Sequence, residues 1–292
     1  MIAPSSQSRA ASCLTVYVPI RTGDPGLEPC LDSIRSQDWG GRLTVVIAPN
    51  GSGRDIQDRL ARWAALREPS FDLKCTETGP AGKSSALNLA EELHPPQGPA
   101  IYLDADTRLG PLCLSHMWDT LQPGTGTHLC APRRACQPPR SFVVRCYWNT
   151  WQSLPLANQQ VVFCGVYGVS AEGRQRWRTF PEIGCEDKFV RLQFSPEEQR
   201  LLEDARAEIA LPRSANQLLR SRIRWAQSNH RMRREFPQLC RGEKGRWSTA
   251  LSTLARTPER WAEAAVALCL HAVATACALL RPTSDGAHWE HG

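Results

Sequence analysis

Apolar positions along the first 135 residues fall into two alternating patterns. Short, nearly continuous apolar runs at Leu14–Ile20, Leu43–Ala48, Phe71–Cys75 and Ala100–Leu103 read as strands. Between them, Leu27–Gln37, Ile56–Leu66, Ser84–Leu93 and Leu112–Leu121 carry apolar side chains at helical spacing. Repeated strand–helix alternation predicts an α/β fold with a mostly parallel sheet covered by helices on both faces. Ligands in such sheets bind beyond the carboxyl ends of the strands.

The alternation then lapses. Ser141–Leu154 is aromatic-rich and predicts a helix, and Val161–Ser170 predicts a strand interrupted by Gly165 and Gly168. Glu186–Phe194 predicts a short helix, Ala207–Leu211 a last strand and Ala215–Arg234 a basic helix. Two more helices are expected over roughly 246–256 and 259–281. Within the last, Ala264–Leu280 has no formal charge. It falls slightly short of the ~20 residues a membrane span needs, and it is Ala-rich with His271 and Thr275 inside. A buried or interfacial helix is therefore expected, with Arg256, Arg260 and Arg281 placed to meet anionic headgroups. At the other end, Met1–Ser12 is polar and has no apolar core of a signal peptide.

Composition narrows this little. A chain of 292 residues with 41% hydrophobic and 22% charged residues can bury a substantial core. The net charge of +6 suits phosphates, anionic membrane surfaces or nucleic acid without choosing among them. The 12 cysteines form no Cys-x-x-Cys and no Cys/His cluster of zinc-finger spacing, so buried free thiols in a reducing cytosol are expected.

The candidate chemistry sits where Ile101-Tyr102-Leu103 ends in Asp104-Ala105-Asp106. Side chains at i and i+2 share one side of an extended segment. Two carboxylates so placed are hard oxygen ligands suited to Mg²⁺ or Mn²⁺ with a bound diphosphate. A rival phosphate site is Gly79-Pro-Ala-Gly82-Lys83-Ser84-Ser85, which looks like the tail of a Walker A loop. That loop needs a glycine where Glu77 stands, and it usually follows the first strand rather than the third. An anion or nucleotide contact at the helix start by Gly82 and Lys83 survives that objection.

Taken together, the order strand-Pro-x-Arg, strand-x-Pro-Asn-Gly-Ser, Gly-Lys-Ser-Ser-Ala-Leu-Asn, strand-Asp-Ala-Asp, Glu-Asp and an Arg-rich helix resembles the family 2 glycosyltransferases of the GT-A fold. The resemblance spans roughly residues 14–235. It implies a disordered N-terminus over 1–13 and a GT-A domain over 14–235, with a nucleotide half at 14–135 and an acceptor half at 136–235. A C-terminal helical extension would follow over 236–292, with a membrane-interfacial role open to it.

The resemblance also implies roles. Pro19 and Arg21 would open the nucleotide pocket. Asn50 and Ser52 stand where many members carry an aspartate pair touching the base, so the base contact is altered here. Lys83 would line the nucleoside pocket, Asp104 would approach the ribose or metal, and Asp106 would hold the metal that bridges the diphosphate. Glu186-Asp187 matches the acceptor-side acidic motif, with Asp187 as general base and Glu186 supporting it. Gly165 would leave room for the acceptor sugar. Arg220, Arg222 and Arg224 fall near the Gln-x-x-Arg-Trp of processive members, where a guanidinium could clamp the departing diphosphate. The match is imperfect, since Ser221 follows Gln217-Leu-Leu-Arg220. His230 is a further candidate metal contact.

The implied activity is an inverting, metal-dependent transfer of a hexosyl unit from a nucleotide diphosphate sugar, a UDP-sugar first, to a hydroxyl acceptor. The acceptor would be a glycan, a lipid-linked group or a small molecule, in bacterial polysaccharide synthesis or metabolite glycosylation. The protein would be cytoplasmic, with a peripheral place on the inner face of the cell membrane open to it. Duller readings stand beside each residue. Asp104 and Asp106 could cap a helix, Glu186-Asp187 could be a solvated first turn, and the arginines a solvated face. Two other classes also stand: an inactive nucleotide-sugar-binding scaffold, and a nucleic-acid module using the basic helix, although no nucleic-acid motif is recognisable.

Overall fold

The computed structural model describes residues 12–51, 54–64, 70–76, 81–159, 161, 165–241 and 260–280. The polar N-terminus up to residue 11, Ser52, and the helix expected over 246–256 lie outside the described residues. The chain divides into two compact units that interleave in sequence. The first comprises residues 1–135, 164–182 and 194–209; the second comprises 136–163, 183–193 and 210–292. The sequence resemblance cuts the chain at 135/136, but the chain returns twice to the first unit after that point.

The first unit is built on an 8-stranded sheet. In chain order its strands are β1 (Cys13–Arg21), β2 (Arg42–Asn50), β3 (Phe71–Cys75), β4 (Ala100–Leu103), β5 (Arg108–Leu109), β6 (Leu129–Ala135), β7 (Val166–Val169) and β8 (Gln199–Glu208). They lie in the order β3-β2-β1-β4-β7-β6-β8-β5. The first four strands in sequence pair in parallel, as the strand–helix alternation predicts. β7 then inserts antiparallel to both β4 and β6. Residue 13, expected to be disordered, is the first residue of β1, because Cys13 pairs with Arg42 at the end of the β1–β2 ladder.

Helices α1 (Leu27–Arg35), α2 (Arg54–Ala64), α3 (Lys83–Leu93) and α4 (Cys113–Thr120) follow the strands as the periodicity predicts. Val16, Val18, Val45, Ile47 and Ile101 are wholly buried between the layers. Each fully buried side chain of this size contributes ~1.5–3 kcal/mol relative to exposure. Where the sheet is lined by aromatics, Tyr102 stacks between Tyr17 and Tyr167 at centroid distances of 5.5 and 4.9 Å. The short helix α5 (Ala171–Arg174) follows β7 and is capped by Ser170, whose hydroxyl accepts from Gly173 N.

Two strand expectations are corrected. The last strand is β8, Gln199–Glu208, not Ala207–Leu211, and β5 and β6 carry no strand signal in the sequence. The strand expected over Val161–Ser170 is confined, among the described residues, to Val166–Val169.

The second unit is helical among the described residues. It contains α6 (Phe142–Gln152), α7 (Pro155–Gln159), α8 (Glu186–Arg191), α9 (Ala215–Glu235) and α10 (Trp261–Leu280). α10 packs along α9 and α6. Asn149 of α6 holds this arrangement at one end, donating to Glu263 at 2.8 Å and accepting from Arg260 at 3.2 Å. Of the cysteines expected to be buried, Cys30, Cys113, Cys130, Cys146 and Cys185 are, whereas Cys269 is exposed on α10.

Candidate active site

The first unit gathers its polar residues at the carboxyl ends of β1, β2 and β4. The ladder aligns Arg21 with Asn50, and Tyr17 with Tyr102. β4 ends at Leu103, and Asp104 then begins a tight turn in which Thr107 N donates to the Asp104 carbonyl at 3.0 Å. Asp104 N donates to the Gly165 carbonyl at 2.8 Å. Gly165 has φ +66°, and a Cβ there would meet Thr107 Oγ1 at 2.2 Å. Space at Gly165 is therefore taken up by the acidic turn itself, where the resemblance expects room for an acceptor sugar. On the other side α1 begins against the same turn, for a Cβ on Gly26 would meet the Ala105 carbonyl at 2.4 Å.

Three carboxylates share this end of the sheet. Asp106 is open to solvent but sits in a recess of protein atoms. Burial pushes its pKa up to about 6, Asp104 and then Asp24 push the same way, and Lys83 opposes them. Lys83 Nζ lies 2.5 Å from Asp104 Oδ1. Beneath them the Cys30 thiol is pushed far above its ordinary range by burial, then by Asp106, Asp104 and Asp24. Asp24 was not singled out in the sequence. It lies in the turn after β1, where its carboxylate accepts from Gly26 N at 2.8 Å, and no motif marks it.

Lys83 opens α3, and the start of that helix is held from two sides. Asn50 Oδ1 accepts from Gly82 N at 2.6 Å, so Asn50 braces the Gly82–Lys83 step. Ser85 Oγ donates to Glu182 Oε1 at 2.5 Å, and Asn88 exchanges two hydrogen bonds with the backbone of Phe180. Glu182, another residue without a sequence signal, thus places a carboxylate at the positive end of the helix. Pro19 is buried within β1, while Arg21 is only half-buried.

In the second unit, Glu186 and Asp187 form the first turn of α8. Glu186 is buried at 3% exposure, which removes the solvated-turn reading for it. Asp187 is half-buried, and its Oδ1 accepts from Lys188 N at 2.7 Å. The turn is anchored to α9 through Lys188 Nζ and Asn229 Oδ1, 2.6 Å apart. Arg222 lies inside the helical packing, its guanidinium 4.1 Å from the Trp225 ring centroid and 5.3 Å from that of Tyr147. Burial lowers its pKa. That position fits packing in the helical unit better than the diphosphate clamp that the resemblance implies. Arg224 is half-buried and His230 exposed on the same helix.

Among the described residues no three His, Cys, Asp or Glu side chains converge into a ready-made metal cage. The acidic recess still fits a divalent cation. Its donors are hard oxygens, and a cation would offset both the burial and, after it, the repulsion from Asp104 and Asp24 that raise the Asp106 pKa. A Mg²⁺-like ion needs only one or two protein carboxylates when substrate phosphates complete its shell.

The sheet order and its flanking helices match the GT-A fold. Solved structures that share it include the following two. One is the mannosyltransferase PcManGT from Pyrobaculum calidifontis, in complex with GDP-Man and Mn²⁺, at TM-score 0.60 and 19% identity, covering 98% of this chain and 90% of that one. The other is glucosyl-3-phosphoglycerate synthase from Mycobacterium tuberculosis, in complex with Mn²⁺, UDP and glucosyl-3-phosphoglycerate, at TM-score 0.52 and 17% identity, covering 76% and 79%. Comparison with protein-family models finds no match, and neither does comparison with curated proteins.

Proposed function

We propose that the protein is a metal-dependent glycosyltransferase that moves a hexosyl unit from a nucleotide diphosphate sugar to a hydroxyl acceptor with inversion. The observation that carries this is the acidic recess at the end of β4, in a fold whose solved examples above hold Mn²⁺ with GDP-Man or UDP. Asp106 is the principal metal-holding residue and Asp104 the second. When bound, Mn²⁺ or Mg²⁺ would neutralise the diphosphate as it departs. Lys83 and Arg21 add positive charge beside the phosphates and nucleoside, and Asn50 fixes the backbone that presents Lys83.

Asp187 is the proposed general base, with Glu186 behind it. As the acceptor oxygen bonds to the anomeric carbon, the bond from that carbon to the phosphate oxygen breaks. The hydroxyl proton passes to the Asp187 carboxylate, and the diphosphate leaves carrying the bonding pair. Attack opposite the leaving group inverts the anomeric centre. A half-buried carboxylate suits this task better than the buried Glu186.

Both uridine and guanosine donors are candidates, because Asn50, where the resemblance expects an acidic contact to the base, instead accepts from Gly82 N. Thermal melting with UDP, GDP and their sugars, with and without Mn²⁺, separates the possibilities. Stabilisation that needs both Mn²⁺ and a nucleotide, and disappears in Asp106→Asn, is the expected result. Equal stabilisation of wild type and Asp106→Asn would remove the metal assignment.

A further inference from the structure

Helix α10 is patterned inside out. Its buried residues are the small Ala264, Ala267 and Ala274. The rest of its surface exposes Trp261, Leu268, Val273, Leu279 and Leu280, the last two at 64% and 81%. Every exposed residue of the helix is Trp, Ala, Leu, Cys or Val, with no charge among them. A helix on the surface of a soluble domain normally turns its polar side outward. At ~1.5 Å per residue the bare stripe runs ~30 Å, far more than a scattered surface leucine.

The neighbouring helix has the opposite character. α9 carries six arginines (Arg220, Arg222, Arg224, Arg231, Arg233 and Arg234) against one acidic residue, Glu235. Arg220, Arg233 and Arg234 are exposed. Positive charge beside a long apolar stripe matches the chemistry of an anionic lipid surface, with acyl chains below and phosphates above.

Length and composition alone would let α10 cross a membrane. Its packing argues otherwise. α10 lies along α9 and α6, so a crossing would take the arginine-rich α9 into hydrocarbon, where each charge is costly. A second copy of the chain is a poorer occupant, since it would bring the same arginine-rich helix to the contact.

We propose that the exposed face of α10 docks in the plane of an anionic bilayer, its apolar side chains entering the acyl boundary and the α9 arginines meeting lipid phosphates. This does not depend on the glycosyltransferase reading. The test is co-sedimentation of the full chain with vesicles of phosphatidylcholine alone and of phosphatidylcholine mixed with phosphatidylglycerol. Binding is expected on the mixed vesicles, weakening with salt and by about fivefold for each of Arg220, Arg233 and Arg234 replaced by Gln. Leu268→Gln with Val273→Gln should reduce binding further. Leu279→Gln with Leu280→Gln, at the most exposed end, is the second variant should the first fail to fold. Three results would overturn the proposal: no preference for the anionic vesicles, resistance to alkaline extraction as a spanning helix shows, or a dimer in solution that the leucine variants split.

Discussion

Lys83 Nζ lies 2.5 Å from Asp104 Oδ1, an ion pair joining the first residue of α3 to the turn that ends β4. The lysine offsets a recess that otherwise concentrates negative charge. Lys83→Met should therefore cost ~1–3 kcal/mol in nucleotide binding, a factor of about five to 150 in Kd. Mn²⁺ without nucleotide should bind the variant tighter, since the protein's own counter-charge is gone. Calorimetric titration of each ligand separately checks both signs. A parallel loss of the two affinities would mean that Lys83 supports the turn mechanically.

Asp106 sets a pH signature for the metal-free protein. Its pKa is raised to about 6 in the fold, against ~4 unfolded. The fold thus favours the protonated acid. The associated stability is fully present below about pH 4 and is lost as pH rises through about 6. Asp106→Asn should flatten that part of the stability curve and raise the metal-free Tm at pH 7 by about 1–3 °C, a modest figure because the carboxylate is open to solvent. The same substitution should abolish Mn²⁺-dependent nucleotide binding. Melting curves across pH 4–8 read both effects; a variant that melts below wild type at pH 7 would show that the ionised Asp106 does not destabilise the fold.

The parts of this architecture legible in the sequence are those with one period throughout. β1, β2 and β4 are buried on both faces and read as unbroken apolar runs, and the helices between them keep their spacing. β8 was misplaced because it is only half-buried: Leu202, Ala205 and Ala207 point inward among charged neighbours, and the register slips between Pro132 and Arg133 on its partner β6. That slip breaks the alternation on which strand recognition depends. β6 also contains Pro132, which argues against a strand when read locally. Within the site, Asp104, Asp106 and Lys83 stood out because each follows or opens an element with a clear signal. Asp24 and Glu182 act through contacts far away in sequence, and no local pattern reports those.

Gly165 and Thr107 crowd each other across the acidic turn. Gly165→Ala forces a side chain into φ +66° and brings its Cβ to 2.2 Å from Thr107 Oγ1. A loss of ~2–4 kcal/mol is expected, seen as a fall of several degrees in Tm together with weaker metal-nucleotide binding, because the Gly165 carbonyl holds Asp104 N. Thr107→Val should do the reverse. Thr107 Oγ1 is buried without a hydrogen-bond partner among the described residues, so an isosteric methyl removes a desolvation cost. A Tm at or above wild type, with donor binding kept, is the expected outcome; a clear loss would show that the hydroxyl has a partner in solution.

A buried ion pair underlies β4. Glu91 of α3, 9% exposed, accepts from the Tyr102 hydroxyl and pairs with Arg174 of α5. Arg174 Nη1 also donates to the Trp177 carbonyl at 2.6 Å, with the guanidinium 4.7 Å from the Trp177 ring centroid. Tyr102 lies two residues before Asp104, so this pair fixes the strand from which the acidic turn springs. Arg174→Met strands a buried carboxylate and should cost ~3–5 kcal/mol. Glu91→Gln in the same chain removes the stranded charge and should recover much of that loss. The coupling energy from a double-mutant cycle, measured by denaturant unfolding, is the decisive quantity. Additive losses would mean that Glu91 and Arg174 stabilise the strand separately, and that the aromatic stack of Tyr17, Tyr102 and Tyr167 holds β4 without them.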